Sequence, residues 1–340
     1  MLSKYLKHAD EKYQKGDYYY ALELYSKAME IDSNTIDILW KVAEAHRAYK
    51  DYRKAEYYYA KVYEREMGSI YPASLLQLGL MQKQNGKYDE AIETFKKAKK
   101  KYGNNKRDYL YLKSKQELES TLWAKANAKI ADKGDFIRLP ETVNSKNSEF
   151  GHNIIDGKLI FSSLRADSIS ENEEVYETSY STLLYSSKVE NGDFNLSERI
   201  EEFYKLGTNV GNSALSLDGK RLYFSSCQDK NGVSYQCKIL VARWMNGKWG
   251  NIDTLGSVIN MPGANTTMPA IGKLDGQEVL FFCSDDGKES KGSLDIFYST
   301  TTNGNQFGKV RSIKSINSID PETSPFWDDE EQRLYFSSIW

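Results

Sequence analysis

The sequence predicts a multidomain protein with two different fold classes. An α-helical repeat array comes first, and an all-β region of repeated hairpins follows. At 340 residues the chain exceeds the usual size of one domain, so two cores are expected. Apolar residues make up 40% and aromatic residues 13%, which excludes a disordered chain. One pattern recurs about every 34 residues in the first third, and a different one recurs four times after residue 135.

The helical repeat is visible in one motif that occurs three times. Asp17-Tyr18-Tyr19-Tyr20-Ala21 returns 34 residues later as Asp51-Tyr52-Arg53-Lys54-Ala55, and Tyr88 with Ala91 marks a third copy 36 residues further on. Small residues would let paired helices approach closely, and aromatic side chains would fill the space between neighbours. The small residues are Ala9, Ala43, Gly79, Ala21, Ala55 and Ala91, and the aromatic ones are Tyr25, Tyr59 and Phe95.

The period of 34 is typical of tetratricopeptide repeats. Residues 1–128 are therefore predicted to form an α-solenoid of three such repeats plus a capping helix. Gly16 and Gly86 would end two of the first helices in a left-handed conformation, whereas the second copy has Lys50, which weakens that turn. The capping helix is expected to pack through one apolar face made of Tyr109, Leu112, Leu118, Leu122 and Trp123.

The β repeat is a turn followed by an alternating strand. Asp156-Gly157, Asp218-Gly219 and Asp275-Gly276 each precede such a strand, and a fourth copy begins at Asp328-Asp329. An aspartate–glycine pair is a strong hairpin signal. The spacing of 53 to 62 residues holds four strands, which is typical of a β-propeller blade. We therefore predict a linker at 129–142 and blades at 143–340, with the fourth blade truncated and the propeller incomplete.

The β pattern resembles the WD-like repeats of TolB-type propellers. Tetratricopeptide repeats followed by such a propeller resemble the OmpA family of Bacteroidota, which includes a periplasmic propeller subunit associated with type IX secretion. The resemblance implies a periplasmic, outer-membrane-associated protein. Its expected partners are other envelope proteins, among them an outer-membrane β-barrel. Peptidoglycan would be held only through a C-terminal domain that this sequence lacks.

The helical repeats of this chain resemble the tetratricopeptide family, whose members bind peptides or proteins in a groove lined by the first helices. Carried over by position, the partner-binding groove would contain Tyr13, Asp37, Trp40, Glu44, Arg47 and Lys83. A second interpretation, in which these side chains are solvated or packed against the next domain, stays open. Neither Trp40 nor Arg47 occupies a helix-packing position of the repeat, so alanine at both is expected to spare folding.

Charge divides unevenly along the chain. Residues 1–128 carry 24 Lys/Arg against 18 Asp/Glu, and the remainder carries 22 against 30. The lysines from Lys96 to Lys106 could attract nucleic acid or acidic lipid, but cations also favour the end of a helix, and we prefer that reading. No nucleic-acid partner and no direct membrane insertion are therefore predicted. The sequence begins without a signal peptide, which fits a cytoplasmic protein or one whose export signal was removed.

Residues with catalytic or metal-binding potential are scattered. His8, His46 and His152 lack triad or metal-ligand spacing, and no nucleophile elbow or phosphate-binding loop occurs. No catalytic residue, metal or cofactor is predicted. Cys227 and Cys237 lie ten residues apart at adjoining strand ends, where a disulfide could form in an oxidising compartment but not in the cytosol. Cys283 is predicted to be a buried thiol.

Together these observations favour a non-enzymatic protein–protein interaction scaffold of the bacterial cell envelope. By resemblance, it would belong to a type IX secretion, gliding or surface-protein anchoring complex. Two alternatives remain: a cytoplasmic tetratricopeptide adaptor, and a propeller that gates a hydrolase domain lying beyond Trp340.

Overall fold

The fold was obtained as a computed structural model that divides into two compact units, Met1–Gly134 and Asp135–Ile339. It describes residues 1–14, 16–129, 137–155, 157–172, 175–204, 208–229, 235–286, 288–301 and 306–339, without the side chains of 166–181 and 229. Residues 130–136 of the predicted linker lie outside the described residues. Leu139, near the end of the predicted linker, packs against a buried apolar cluster of the second unit that includes Val143.

Helices form the described part of the first unit. They are α1 (Leu2–Gln14), α2 (Tyr18–Ile31), α3 (Ile36–Ala48), α4 (Tyr52–Glu66), α5 (Ser74–Gln84), α6 (Tyr88–Lys101) and α7 (Tyr109–Asn127). Each packs against its neighbours in the chain, and α5 also contacts α7. The six predicted small positions are buried, and Tyr25, Tyr59 and Phe95 are buried beside them. Short turns and small contact residues therefore produce the predicted array of helix pairs.

The turns between paired helices share one backbone conformation. Lys50 has a φ of 65°, beside 77° for Gly16 and 74° for Gly86. The amide of Lys50 donates to the carbonyl of Arg47 at 3.0 Å, as the amide of Gly86 does to that of Lys83. A lysine therefore holds a left-handed position that favours glycine.

Replacing Lys50 by glycine is expected to raise the free energy of unfolding by about 0.5–1 kcal/mol, because an L side chain is disfavoured in the left-handed region. Urea denaturation of the purified protein measures the change. Lys54→Gly, inside α4, is the control and should lower stability by about 1 kcal/mol. A loss of stability with Lys50→Gly would contradict the prediction.

The packed face of α7 differs from the predicted one. Its buried residues are Lys113, Ser114, Glu117 and Thr121. Tyr109, Leu122 and Trp123 of the predicted face are exposed, while Leu112 and Leu118 are half-buried. The apolar pattern was misleading because an ion-pair network, described below, occupies the contact with α5.

Antiparallel sheets form the described part of the second unit. Sheet 1 contains β1 (Glu149–Ile155), β2 (Lys158–Asn172), β3 (Val175–Glu190), β4 (Asp193–Phe194) and β5 (Glu198–Arg199). Sheet 2 contains β6 (Thr208–Leu215), β7 (Arg221–Asp229), β8 (Tyr235–Met245) and β9 (Lys248–Thr254). Sheet 3 contains β10 (Thr266–Leu274), β11 (Gln277–Ser284), β12 (Asp295–Thr301) and β13 (Arg311–Ser312), and sheet 4 contains β14 (Glu322–Asp328) and β15 (Arg333–Ser338).

Strand order follows chain order, apart from β5, which pairs with β3, and no sheet closes on itself within these described strands. The predicted turns join the first and second strands of each sheet, with Gly157, Gly219 and Gly276 at φ between 69° and 78°. Successive sheets pack face to face. Phe224 lies in the core between sheets 1 and 2, Tyr223 and Phe282 lie between sheets 2 and 3, and Phe281 lies between sheets 3 and 4.

Each first strand has a β-bulge at the same repeat position. The bulged residues with positive φ are Gly151, Asn212, Met268 and Ser324. The four first strands together line a cavity of 410 Å³. The first strand of every sheet therefore faces this common cavity and has a bulge there.

In sheets 1 and 2, a serine of the second strand ties the sheet to the next one. Ser162 Oγ accepts the bulge amide of Asn212 at 2.8 Å, and Ser225 Oγ accepts that of Met268 at 2.8 Å. In sheet 3 the corresponding residue is Cys283, whose sulfur faces the next bulge amide. The serine of the recurring Phe-Ser pair thus accepts a hydrogen bond from the neighbouring sheet. The sequence repeat alone did not predict this role.

Candidate partner-binding surface

All six residues of the predicted groove lie on first helices of the repeat. Tyr13 is on α1, Asp37, Trp40, Glu44 and Arg47 are on α3, and Lys83 is on α5. The structure brings most of them together in two adjoining clusters on α3 and places Lys83 in a third.

The first cluster surrounds the carboxylate of Glu44. Arg47 Nη2 donates to Glu44 at 2.6 Å, and Arg47 Nε donates to the hydroxyl of Tyr59 at 3.1 Å. That hydroxyl in turn donates to Glu44. Burial, and then the charge of Glu44, raise the pKa of Tyr13, with Arg47 opposing. Glu44 and Arg47 therefore share one hydrogen-bond network with a fully buried tyrosine, and Tyr13 lies within the influence of their charges.

The second cluster surrounds Trp40. Its ring stacks on Tyr71 with centroids 4.5 Å apart and meets the ring of Tyr59 edge-on at 5.4 Å. The hydroxyl of Tyr71 donates to Asp37 at 2.6 Å, and Lys41 lies 3.7 Å from the same carboxylate. Trp40 and Arg47 thus both contact the buried Tyr59, so these two side chains do take part in helix packing, and we expect alanine at both positions to lower stability.

The loop that carries Tyr71 is organised by Glu66 at the end of α4. Glu66 is buried, and its carboxylate accepts the amide of Ile70 at 2.6 Å and the hydroxyl of Ser74 at 3.1 Å. Burial alone would raise the pKa of Glu66, but these donors hold it below its usual range. Glu66 therefore holds the conformation of the loop between α4 and α5, which is longer than the equivalent loop of the preceding repeat. This loop places Tyr71 against Trp40.

Lys83 belongs to a separate network between α5 and α7. Its ammonium donates to Glu117 at 2.8 Å and to Ser120 Oγ at 2.7 Å. Lys113 lies 2.8 Å from the other oxygen of Glu117, and these two side chains are only 5% and 2% exposed. Lys83 is thus chiefly a packing partner of the capping helix.

Sequence reasoning missed the partners of the groove residues. Tyr25 donates to Asp10 at 2.6 Å, and Lys41 donates to the same carboxylate at 2.7 Å. Asp10 and Tyr25 stand 34 residues before Glu44 and Tyr59, so the tyrosine–carboxylate pair is itself a repeat feature. The third copy replaces both members, with Phe95 and Leu80 packed in one cluster. Reading the two positions jointly would have revealed this signal.

His46 lies inside the second repeat, stacked on Tyr58 with ring centroids 5.6 Å apart. Its Nδ1 is 3.5 Å from Asp51 and makes no hydrogen bond within the described part of the chain. Burial lowers the pKa of His46, Asp51 opposes this, and Lys54 adds to it. The folded protein therefore favours the neutral imidazole.

Because the folded pKa is below the unfolded value near 6.5, the unfolded chain binds the extra proton first as the pH falls. Stability should decrease from pH 7.5 to 5.5, and His46→Gln should remove part of that slope, by at most about 1.4 kcal/mol per pH unit. Gln82 occupies the equivalent position of the third repeat, so glutamine fits there. Urea titrations at several pH values measure the effect. The exposed His8→Gln is the control, and equal slopes in both variants would contradict the prediction.

The cysteines lie in the β unit. Cys227 of β7 and Cys237 of β8 are direct cross-strand partners, and their sulfurs are joined as a disulfide. Cys283 is fully buried, and burial raises the pKa of its thiol to about 12. It is therefore not poised to react as a thiolate.

The three histidines stand on α1, α3 and β1. Across the described ranges, no group of three or more His, Cys, Asp or Glu side chains is arranged to hold a metal ion. None of the described helices combines the length and apolar character needed to cross a membrane.

No family model matches the sequence, and no curated protein matches it. Among solved structures, the chain is similar to the Sgt2 TPR domain of Aspergillus fumigatus at 21% identity, covering 41% of this chain and 89% of that one, with a TM-score of 0.32. It is also similar to the type III secretion translocator chaperone SycD of Yersinia enterocolitica at 18% identity, covering 37% and 86%, with a TM-score of 0.33. A third is the first TPR of Spaghetti (RPAP3) bound to an HSP90 peptide, at 18% identity, 37% and 93% coverage, and a TM-score of 0.31.

TM-scores this low do not support assigning the function of these proteins to this chain. The architecture rests on the chain's own 34-residue period, its buried small positions and its paired helices. The protein thus combines tetratricopeptide-type helical repeats with antiparallel sheets.

Proposed function

We propose that this protein is a non-enzymatic protein–protein interaction scaffold. The observation that carries the proposal is the surface of α3, where Trp40, Asp37 and Arg47 are held in fixed positions by neighbouring side chains. Preorganised aromatic and arginine side chains are frequent binding hot spots, because little conformational entropy is lost when a partner docks. Asp37 remains 53% exposed and Arg47 38% exposed, so both are accessible to a partner.

The test uses variants that leave the Tyr59 contacts intact. Asp37→Lys reverses an exposed charge on the first-helix surface, and Asp89→Lys does so on α6, where the carboxylate is 81% exposed. Tagged full-length proteins of matched thermal stability are incubated with envelope extract, and captured proteins are identified by mass spectrometry. Asp37→Lys should lose partners that wild type and Asp89→Lys both retain. Equal recovery by all three would reject this surface.

We further propose that the sheets are blades of a WD-like β-propeller. Supporting this are the four-stranded meanders of sheets 2 and 3, the face-to-face packing of successive sheets and the cavity shared by the four first strands. Propeller ends offer a second surface for protein partners.

We propose a location in the periplasm, associated with the outer membrane and with other envelope proteins, in a type IX secretion, gliding or surface-anchoring complex. The resemblance in domain order supports this, and so does the paired placement of Cys227 and Cys237, since such bonds persist in oxidising compartments. Alkylation of native protein without reduction, followed by mass spectrometry, tests the Cys227–Cys237 bridge. Two free thiols in protein taken from the envelope would reject the bridge and remove its support for this location.

A further inference from the structure

A small pocket lies between sheets 1 and 2, apart from the helical surface. Its volume is 270 Å³, below the roughly 300–1,000 Å³ of drug-sized ligand sites. The buried Ile160 and Trp249 and the half-buried Ile155 form its apolar floor, and Trp244 forms a wall. The two indole rings stand 5.0 Å apart at an angle of 65°. The pocket therefore has room for about one ring, with aromatic surface on two sides.

Trp244 is the feature that the repeat does not explain. Trp249 pairs with it across the turn between β8 and β9, as Phe194 pairs with Val189 in sheet 1 and Phe307 pairs with Thr301 in sheet 3. An aromatic residue at the Trp249 position is thus common to all three sheets. At the Trp244 position the other sheets have smaller side chains, while this tryptophan is 41% exposed.

The rim carries charges of both signs. Lys158 and Lys248 supply ammonium donors, and Glu198 and Glu202 supply carboxylate acceptors. All four are exposed, and none has a side-chain hydrogen bond or ion pair within the described residues. The remaining rim cation, Arg199, is already paired with Glu201 at 2.8 and 3.0 Å. The available charge is therefore balanced.

We propose that this pocket binds a saccharide ring. A sugar has an apolar face of C–H groups that can lie on an indole, and its hydroxyls both donate and accept hydrogen bonds. An anionic ligand would face the two glutamates, and a cationic one would face the two lysines, so balanced charge favours a neutral, hydroxyl-rich ligand. The volume admits one ring more readily than a folded peptide segment.

The experiment titrates the full-length protein with glucose, N-acetylglucosamine and maltose, using isothermal calorimetry and tryptophan fluorescence. Saturable binding of at least one sugar is expected. Trp244→Ala should weaken it by about tenfold or more, as for an aromatic hot spot, while Trp244→Phe retains most of it. Trp123→Ala, an exposed tryptophan of α7, is the matched control and should bind like wild type.

Circular dichroism and thermal melting establish that the variants are folded. If Trp244→Ala unfolds, the double variant Lys248→Ala/Glu202→Ala takes its place, because both side chains are exposed, and it should also weaken binding. No saturable binding of any of the three sugars to wild type would overturn the proposal. So would unchanged affinity in the folded pocket variants.

Discussion

Glu117→Gln is expected to lower the free energy of unfolding by about 3–5 kcal/mol, the range for breaking a buried ion pair. The carboxylate of Glu117 bridges two lysines. One oxygen accepts a hydrogen bond from Lys83, which also donates to Ser120, and the other oxygen pairs with Lys113. A neutral amide would remove the charge that faces Lys113 in a site where the lysine side chain is only 5% exposed. Chemical denaturation of the whole chain, with the helical signal followed by circular dichroism, measures the loss.

The matched control for Glu117→Gln is Glu119→Gln, two residues along the same helix. Glu119 is 66% exposed and lies 4.0 Å from Lys115, so this change should cost well under 1 kcal/mol. Similar stability of the two variants would show that the network contributes little. The double variant Glu117→Met/Lys113→Met should lose less stability than Glu117→Gln, because replacing both members of a buried ion pair by apolar residues is often neutral or stabilising.

Gly79→Ala is expected to destabilise the helical unit by about 1–3 kcal/mol, the usual range for overpacking. A Cβ atom at this position would lie 2.6 Å from the ring of Phe95, which is fully buried. Alanine favours a helix over glycine by about 1 kcal/mol, so a net loss can arise only from the collision. Thermal and urea denaturation measure the net change.

A double-mutant cycle isolates that collision. Phe95→Leu alone should destabilise, but Gly79→Ala in the Phe95→Leu background should be neutral or stabilising, because a smaller side chain leaves room for the methyl group. Gly86→Ala would be an unsuitable control, since its φ is 74°, whereas Gly79 is helical. Additive effects at Gly79 and Phe95 would contradict the packing argument.

How far the sequence could predict the fold depends on the range of the interactions. The hairpin turns at Gly157, Gly219 and Gly276 follow from two adjacent residues, and they occur where predicted. The buried alanines of the helical repeat follow from a fixed period. In contrast, Lys113 and Glu117 carry charges that ordinarily signal exposure, and their burial is compensated by ion pairs of Glu117 with both Lys113 and Lys83.

The candidate site shows the same division. Position in the repeat placed all six groove residues on first helices, as the structure has them. It could not show that Tyr71, from the longer loop after α4, stacks on Trp40. That contact depends on the conformation of the loop, which is held by hydrogen bonds from the backbone amides of Ile70 and Tyr71 to Glu66. Backbone amides are present whatever the side chain, so the residue types in the loop do not reveal these bonds.

The serine contacts between sheets have a thermodynamic consequence. Each joins only adjacent sheets, through Ser162 or Ser225 and the bulge amide that follows. Cohesion in this unit is therefore nearest-neighbour in character, as in a one-dimensional chain of coupled segments. Opening of one boundary costs the contacts of that boundary alone, so amide hydrogen exchange should proceed in separate steps, with Asn212 and Met268 reporting on different boundaries.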